Sequence, residues 1–225
     1  MTKPGAPTPR RVTADWAAAL PGFDAWKPLH LLRRIGPVVQ GVCLDRTTSG
    51  NAYIPTAHVH ALTRDFPVIS LMLGQRLEGA SGQPERVLFG NHDGEYPAAV
   101  DALREQSLLS LSEEPPSLEQ VVRAYLSAAS ASHDKGLPPA VLEVEDSVLI
   151  AAAAGLADLL QGGLALAGEL AGLWSKFRLP LNWPGTAAWL EGLRAKATDP
   201  VALSTTVHHQ VTQHKLARVR NVLAA

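Results

Sequence analysis

Three observations predict an α+β protein with a small, mostly antiparallel sheet in its N-terminal half and a helical C-terminal half. Between residues 37 and 90, short β-rich runs alternate with turn-forming residues. From Tyr96 onward, apolar residues recur at helical spacing. Hydrophobic residues make up 46% of the chain but aromatics only 5%, so the core must be built from Ala, Leu and Val, which favours closely packed helices.

The N-terminal MTKPGAPTPRR has no apolar stretch, and residues 1–12 are expected to form a flexible tail without an export signal. Thr13 is placed to cap a short helix, ADWAAAL, that Pro21-Gly22 ends. Trp16 and Trp26 are expected to anchor that helix to the body. KPLHLLRRIG reads as one or two helical turns closed by Gly36-Pro37. The β pattern starts with VVQGVCL, continues through the turn residues Thr48-Ser49-Gly50-Asn51, and returns in AYIPTAHVHAL, which together make a hairpin. With Ser49-Gly50 as its loop, His58 faces Gly41 and His60 faces Val39, both on one side of the sheet. Pro55 marks the second strand as an edge or a bulge. FPVISLML (66–73) reads as a buried strand, GQRLEGASGQPE as a loop and RVLF (86–89) as a short strand, for a sheet of three or four strands.

PAAVDALREQ opens a helix with Pro97 near its first turn, and SLEQVVRAYLSAA opens another with Ser117 and Gln120 in a capping-box arrangement. SASHDKGLPP (130–139) reads as a boundary. VLEVEDSVLIAAAAGLADLLQ and LALAGELAGLWSKF read as two helices joined at Gly162-Gly163. A further helix lies in PLNWPGTAAWLEGLRAKA, and a last one runs from Asp199-Pro200 through VALSTTVHHQVTQHKLARVRNVLAA. The chain is thus expected to comprise the tail, a small α+β lobe with the hairpin over 13–95 and a helical lobe over 96–225, the two lobes forming one compact unit.

Composition narrows the setting. A single cysteine, Cys43, forms no intramolecular disulfide, so a reducing, cytoplasmic location is expected. Asp158, Gln161 and Glu169 interrupt the apolar stretch 147–174, which is read as buried helix rather than a membrane span. Arginine (14) outnumbers lysine (6), a bias of GC-rich bacterial genomes. Charge is segregated: residues 1–34 carry +4, 176–225 carry +5 and 35–175 carry −10. Such segregation allows intramolecular compensation or docking through complementary faces.

Histidines and carboxylates supply the chemically pointed residues. Gly90-Asn91-His92-Asp93 follows the strand-like RVLF. This string resembles the third block of the calcineurin-like metallophosphoesterases, in which the Asn and His of a strand-terminal GNH motif serve a two-metal site. The resemblance covers four residues, and the Asp-x-His and Gly-Asp-x-x-Asp blocks of that family do not occur in this chain. The alternative for the same string is a loop, with Asn91, Asp93 and Gly94 as turn formers. His58-Val59-His60 places two imidazoles on one strand face, a geometry that can offer two ligands to one divalent ion. His58, His60, His92 and Asp93 are therefore the candidate metal set, with Asp45 a further ligand candidate.

His208, His209 and His214 are spaced by one, five and six, which puts no two on one helix face at the usual spacing of four. Lys215, Arg218 and Arg220 follow as a basic patch open to nucleic acid or an acidic partner. Cys43 lies in an apolar strand and reads as an inert thiol. There is no Gly-x-Ser-x-Gly elbow, phosphate loop, dinucleotide fingerprint or His-Glu-x-x-His.

Two functional expectations follow. The first is a non-catalytic accessory or subunit protein that binds another macromolecule, or a second copy of itself, through charge-segregated surfaces. The second is a metal-dependent, phosphoesterase-like hydrolase using the histidines of the N-terminal sheet.

Overall fold

A computed structural model describes residues 7–223 and has the expected class, an antiparallel sheet in the N-terminal half and helices dominating the C-terminal half. The flexible tail expected over residues 1–12 lies outside the described residues up to residue 6. Contacts divide the chain into two compact units. One comprises Met1–His60, Ile69–Pro115 and Lys215–Ala225, and the other Ala61–Val68 and Pro116–His214. No helix among the described residues is long and apolar enough to cross a membrane.

The sheet unit opens with α1, Pro9–Ala19, which starts four residues before the cap expected at Thr13. Thr8 is the N-cap and accepts from the Arg11 N–H, and Pro9 supplies a preset helical φ at the first position. The Thr13 hydroxyl instead donates to the Pro9 carbonyl and accepts the Leu29 N–H, tying the helix to the following turn.

Strands β1 (Asp24–Lys27), β2 (His30–Ile35), β3 (Val38–Arg46), β4 (Ala52–Ala61) and β5 (Met72–Arg76) lie side by side in that order, and β6 (Val87–Leu88) also pairs with β4. Strands β3 to β6 supply the four that lie between residues 37 and 90, where three or four were expected, and β1 and β2 extend the sheet with residues that precede that span. HLLRRI is strand, not helix, because Leu31, Leu32 and Arg33 are all buried and leave no period-two alternation to read. Lys27 pairs with His30, so Pro28-Leu29 makes the turn, with Leu29 at φ 64°. The expected strand 66–73 shifts to Met72–Arg76, which keeps only its last two residues and runs into the stretch read as loop.

The hairpin forms in the expected register. The Thr47 N–H donates to the Ala52 carbonyl, and the His58 ring sits directly on Gly41, where an added Cβ would lie 2.4 Å from Nε2. Pro55 falls between the β6 pairing at Ala52–Tyr53 and the β5 pairing that starts at Thr56, so its missing N–H breaks no rung of either ladder. Period two sends Tyr53 to one face of β4 and His58 and His60 to the other. The Tyr53 face carries the core of this unit, in which Leu31, Val42 and Leu44 pack with Val12 and Trp16 of α1, with Leu20 at its C-cap, and with Val100 and Leu103 of α2, His92–Gln106.

Helix α2 begins at His92, so His92 and Asp93 belong to its first turn and Pro97 lies inside the helix. Arg33 is fully buried without a carboxylate partner in hydrogen-bond reach, and carbonyls satisfy it. Its Nε and Nη2 donate to Gln40 Oε1 at 2.9 and 2.7 Å, and its Nη groups donate to the Ser112 and Ser110 carbonyls at 2.6 and 2.9 Å. This buried guanidinium fastens segment 107–115 to the sheet, and burial lowers its pKa to about 10.

The helical unit contains α3 (Leu118–Asp134), α4 (Val141–Ala153), α5 (Ala157–Leu173), α6 (Thr186–Ala197) and α7 (Pro200–Gln213). The capping box of Ser117 and Gln120 forms as read. Helix α3 runs through SASHD, and Gly136 at φ 62° ends it, with Gly136 bonded to His133 and Leu137 to Ser132 in a Schellman pattern. The same device at Gly155, φ 68°, separates α4 from α5, so the expected joint at Gly162-Gly163 is instead helix interior. A Cβ added at Gly163 would lie 3.1 Å from Val148 Cγ2, a tight contact that glycine avoids.

Trp174, Trp183 and Trp189 cluster with ring centroids 5.2 to 5.8 Å apart, and Trp16 and Trp26 are buried in the sheet unit. These tryptophans serve the two cores. The last helix stops at His214, with Lys215 in the left-handed conformation at φ 56°, rather than running to the C-terminus. Arg218 closes a separate 3₁₀ turn, Leu216–Arg218, and Arg220 follows it, so neither belongs to that last helix. Arg218 donates to the Trp26 carbonyl, and Arg220 pairs with Asp24 at 3.1 Å, so part of the C-terminal basic charge is compensated within the chain.

Candidate functional site

The four residues expected to share a metal separate into two groups, because His58 and His60 lie on one face of β4 while α2 holds His92 and Asp93 on the Tyr53 side. His58 and His60 point away from the core that α1 and α2 cover. His58 is buried, and its Nε2 lies 2.7 Å from His30 Nε2, so one ring donates and the other accepts. Its Nδ1 is buried without a hydrogen-bond partner. Burial, followed by the neighbouring His30 and His60, holds the His58 pKa well below the ordinary imidazole value, and burial lowers His30 to about 4. His60 Nδ1 accepts the Ser70 N–H at 3.1 Å and lies 2.8 Å from the Ser70 hydroxyl. That nitrogen is thus committed to closing the loop before β5. Asp45, the further ligand candidate, accepts from the Cys43 thiol at 3.1 Å. Burial and then this contact push the Cys43 pKa up to about 12, in keeping with an inert thiol.

His92 and Asp93 come together with Asp15, a residue the sequence reading passed over. Asp15 lies on α1, one turn after Arg11, and the other two sit in the first turn of α2. The three potential ligand atoms lie within 4.8 Å of one another. No linear motif joins these residues, since 77 positions separate Asp15 from His92. The usable signal was the position of Asp15 on the polar edge of a helix whose other face carries Val12 and Trp16.

Hydrogen-bond chemistry assigns the His92 tautomer. Trp16 Nε1–H can only donate, and it donates to Tyr53 Oη at 3.0 Å. The Tyr53 hydrogen is then free for His92 Nδ1 at 2.8 Å, which makes Nδ1 the acceptor. Nε2 accordingly carries the ring hydrogen and donates to Asp15 Oδ2 at 3.0 Å. Burial pushes the Tyr53 phenol above its ordinary value, so it stays protonated. Tyr96 stacks on the imidazole with centroids 4.6 Å apart. His92 is in this way fixed in plane and in tautomer by buried Tyr53 on one side and by half-buried Asp15 and Tyr96 on the others.

The open side of the group is a cleft of about 500 Å³ lined by Arg11 and residues 89–95. Arg11 spans it, with Nη2 2.5 Å from Asp93 and Nε 3.5 Å from Asp15. Its guanidinium occupies the position of a cation between two carboxylates, and those contacts raise its pKa, the Asp93 hydrogen bond most of all. Asp93 is 65% exposed and Asp15 29%, so the two carboxylates face solvent while the imidazole behind them does not. Two carboxylates and one imidazole suit a divalent ion of the Mn²⁺, Fe²⁺ or Zn²⁺ kind and leave coordination positions open on the cleft side.

No known protein family, curated protein or solved structure matches this chain.

Proposed function

We propose that the sheet unit holds a divalent metal ion between Asp15, His92 and Asp93, and that the chain uses it to hydrolyse an anionic ester. The observation that carries this reading is the clustering of three ligand atoms within 4.8 Å around an imidazole whose other nitrogen is already held by a buried tyrosine. Bound there, the ion would act as a Lewis acid and supply a hydroxide from coordinated water. With Nε2 turned to the ion, the His92 ring hydrogen would sit on Nδ1 and be donated to Tyr53 Oη, and the Tyr53 hydroxyl hydrogen would rotate away from the ring. Arg11, released from the two carboxylates, is positioned at the rim to contact the anionic substrate.

The test is calorimetric titration of the intact chain with MnCl₂ and with ZnCl₂. Binding is expected for the unaltered chain and is expected to be lost in Asp93→Asn, a change at an exposed residue that leaves the fold intact. Arg11→Ala is expected to tighten binding, since it removes the competing cation. Absence of bound ion at about 1 mM in both the unaltered chain and Arg11→Ala overturns the proposal.

A second reading, the accessory protein that binds another macromolecule, draws on a different observation. Phe177 and Leu181 are 99% and 101% exposed, and Leu173 is 64% exposed. They lie on or beside the segment that joins α5 to α6, braced by the tryptophan cluster and by the Arg178 bond to the Gly136 carbonyl. An apolar set of this kind marks a contact surface for a partner protein. Photo-crosslinking from position 177 in the native host is expected to yield one discrete adduct that a probe at exposed Glu191 does not; equal labelling from both positions removes the support.

A further inference from the structure

The helical unit contains a cleft of about 350 Å³ whose polar groups are incompletely used. It lies between segment 61–68 and helices α4, α6 and α7, and its walls include Thr63, Arg64, Asp65, Glu145, Lys196 and Leu203. Arg64 Nε donates to Asp146 Oδ1 at 2.6 Å, and this fixes the guanidinium. Its Nη1 lies 3.8 Å from Glu145 Oε2, an ion-pair distance beyond hydrogen-bond reach. The terminal Nη groups therefore keep unused N–H donors among the described residues. Thr63 is 3% exposed, and its buried Oγ1 has no hydrogen-bond partner. Such a hydroxyl costs folding free energy unless something pairs with it.

The charge around these donors is mixed. Asp146 already balances Arg64, and Lys196, Asp65 and Glu145 all line the same cleft. Glu145 is itself oriented, since its Oε1 accepts the Trp189 indole N–H at 2.8 Å. A bare phosphate would bring added negative charge beside three carboxylates, and a bare amine would leave the Arg64 and Thr63 donors unanswered. A ligand that carries one carboxylate and one ammonium answers both sets and leaves the local charge balance unchanged. Buried Leu203 supplies an apolar wall for an aliphatic side chain.

We propose that this cleft binds a free aliphatic α-amino acid, its carboxylate received by the Arg64 Nη groups and Thr63 Oγ1 and its ammonium by Glu145 and Asp65. The site is independent of the Asp15, His92 and Asp93 group, and its test requires no metal or activity. The intact chain is titrated calorimetrically with leucine and valine, and in parallel with isovalerate, isoamylamine and inorganic phosphate.

Saturable binding is expected for the amino acids and not for the three partial analogues. Thr63→Val is expected to leave the melting temperature of the free chain unchanged or raised while weakening amino-acid binding about tenfold or more, the cost of one lost hydrogen bond to a charged group. Arg64→Gln is expected to abolish binding; if that variant does not fold, Thr63→Val carries the decision. Failure of every amino acid to bind at about 10 mM overturns the proposal. So does equal affinity for isovalerate, or unchanged affinity in Thr63→Val.

Discussion

Acidification is expected to act with opposite sign on the two units. In the sheet unit His30 is held at about 4 against an ordinary value of 6.5, chiefly by burial, so the folded state binds fewer protons than the unfolded state between those limits. Its contribution is complete above pH 6.5 and is lost as pH falls toward 4. The full loss is about 3 kcal/mol, and about 2 kcal/mol of it has gone by pH 5. His58, bonded to His30 at 2.7 Å and also lowered, adds in the same direction.

In the helical unit burial raises Asp146 from 3.8 to about 6 in spite of its bond to Arg64. A raised carboxylate reverses the sign: the folded state takes up the proton first, and stability rises by about 1 kcal/mol between pH 7 and pH 5. Hydrogen exchange read by mass spectrometry at pH 7 and pH 5, corrected for intrinsic rates, separates the two. Protection in β2–β4 is expected to fall roughly thirtyfold, while protection in α4 holds or rises. Unchanged protection of β2–β4, or a parallel loss in α4, would refute the assignment of these groups.

Other outcomes follow from single contacts. Gly41→Ala places a Cβ 2.4 Å from His58 Nε2 and is expected to destabilise the sheet unit by about 3 kcal/mol in chemical denaturation, whereas Gly168→Ala on α5, where a Cβ meets nothing within 4 Å, is expected to be neutral or stabilising. Arg33→Lys cannot reproduce the fork that serves Gln40 and the Ser110 and Ser112 carbonyls, and is expected to cost about 3 kcal/mol or more and to release segment 107–115 to limited proteolysis. Tyr53→Phe removes the acceptor of Trp16 Nε1 and the donor to His92 Nδ1, and is expected to cost about 2 kcal/mol, visible as a lower denaturation midpoint with a shift in tryptophan emission.

Much of the architecture was legible because local signals agreed with tertiary demands. The hairpin register followed from Ser49-Gly50 and strand period alone, and Ser117 with Gln120 marked the start of α3 by capping chemistry. Elsewhere burial on both faces erases the pattern, or the conformation of a glycine, which its sequence context does not show, sets the helix end. HLLRRI is covered on both faces and so reads as helix. Gly162-Gly163 is the more conspicuous pair, but of these three glycines only Gly155 adopts the positive φ that ends a helix. The candidate site was half legible. GNHD drew attention to His92 and Asp93, and the parity of Tyr53 against His58 and His60 then decides that the hairpin histidines face elsewhere. Asp15 offered only its place on the polar edge of α1, and Arg11 nothing more, because their relation to His92 exists only once α1 packs beside α2.

The central claim concerns the Asp15, His92 and Asp93 group, and metal stoichiometry with a tautomer readout tests it most directly. The intact chain, dialysed against Mn²⁺ or Zn²⁺, is expected to retain close to one ion, and Asp93→Asn none. With diamagnetic Zn²⁺ bound, the ¹⁵N shifts of His92 are expected to exchange the roles of Nδ1 and Nε2, with the hydrogen moving to the Tyr53 side. A metal-free chain after dialysis, with His92 still protonated on Nε2 toward Asp15, would contradict the account and leave the group as an ion-paired clasp between α1 and α2.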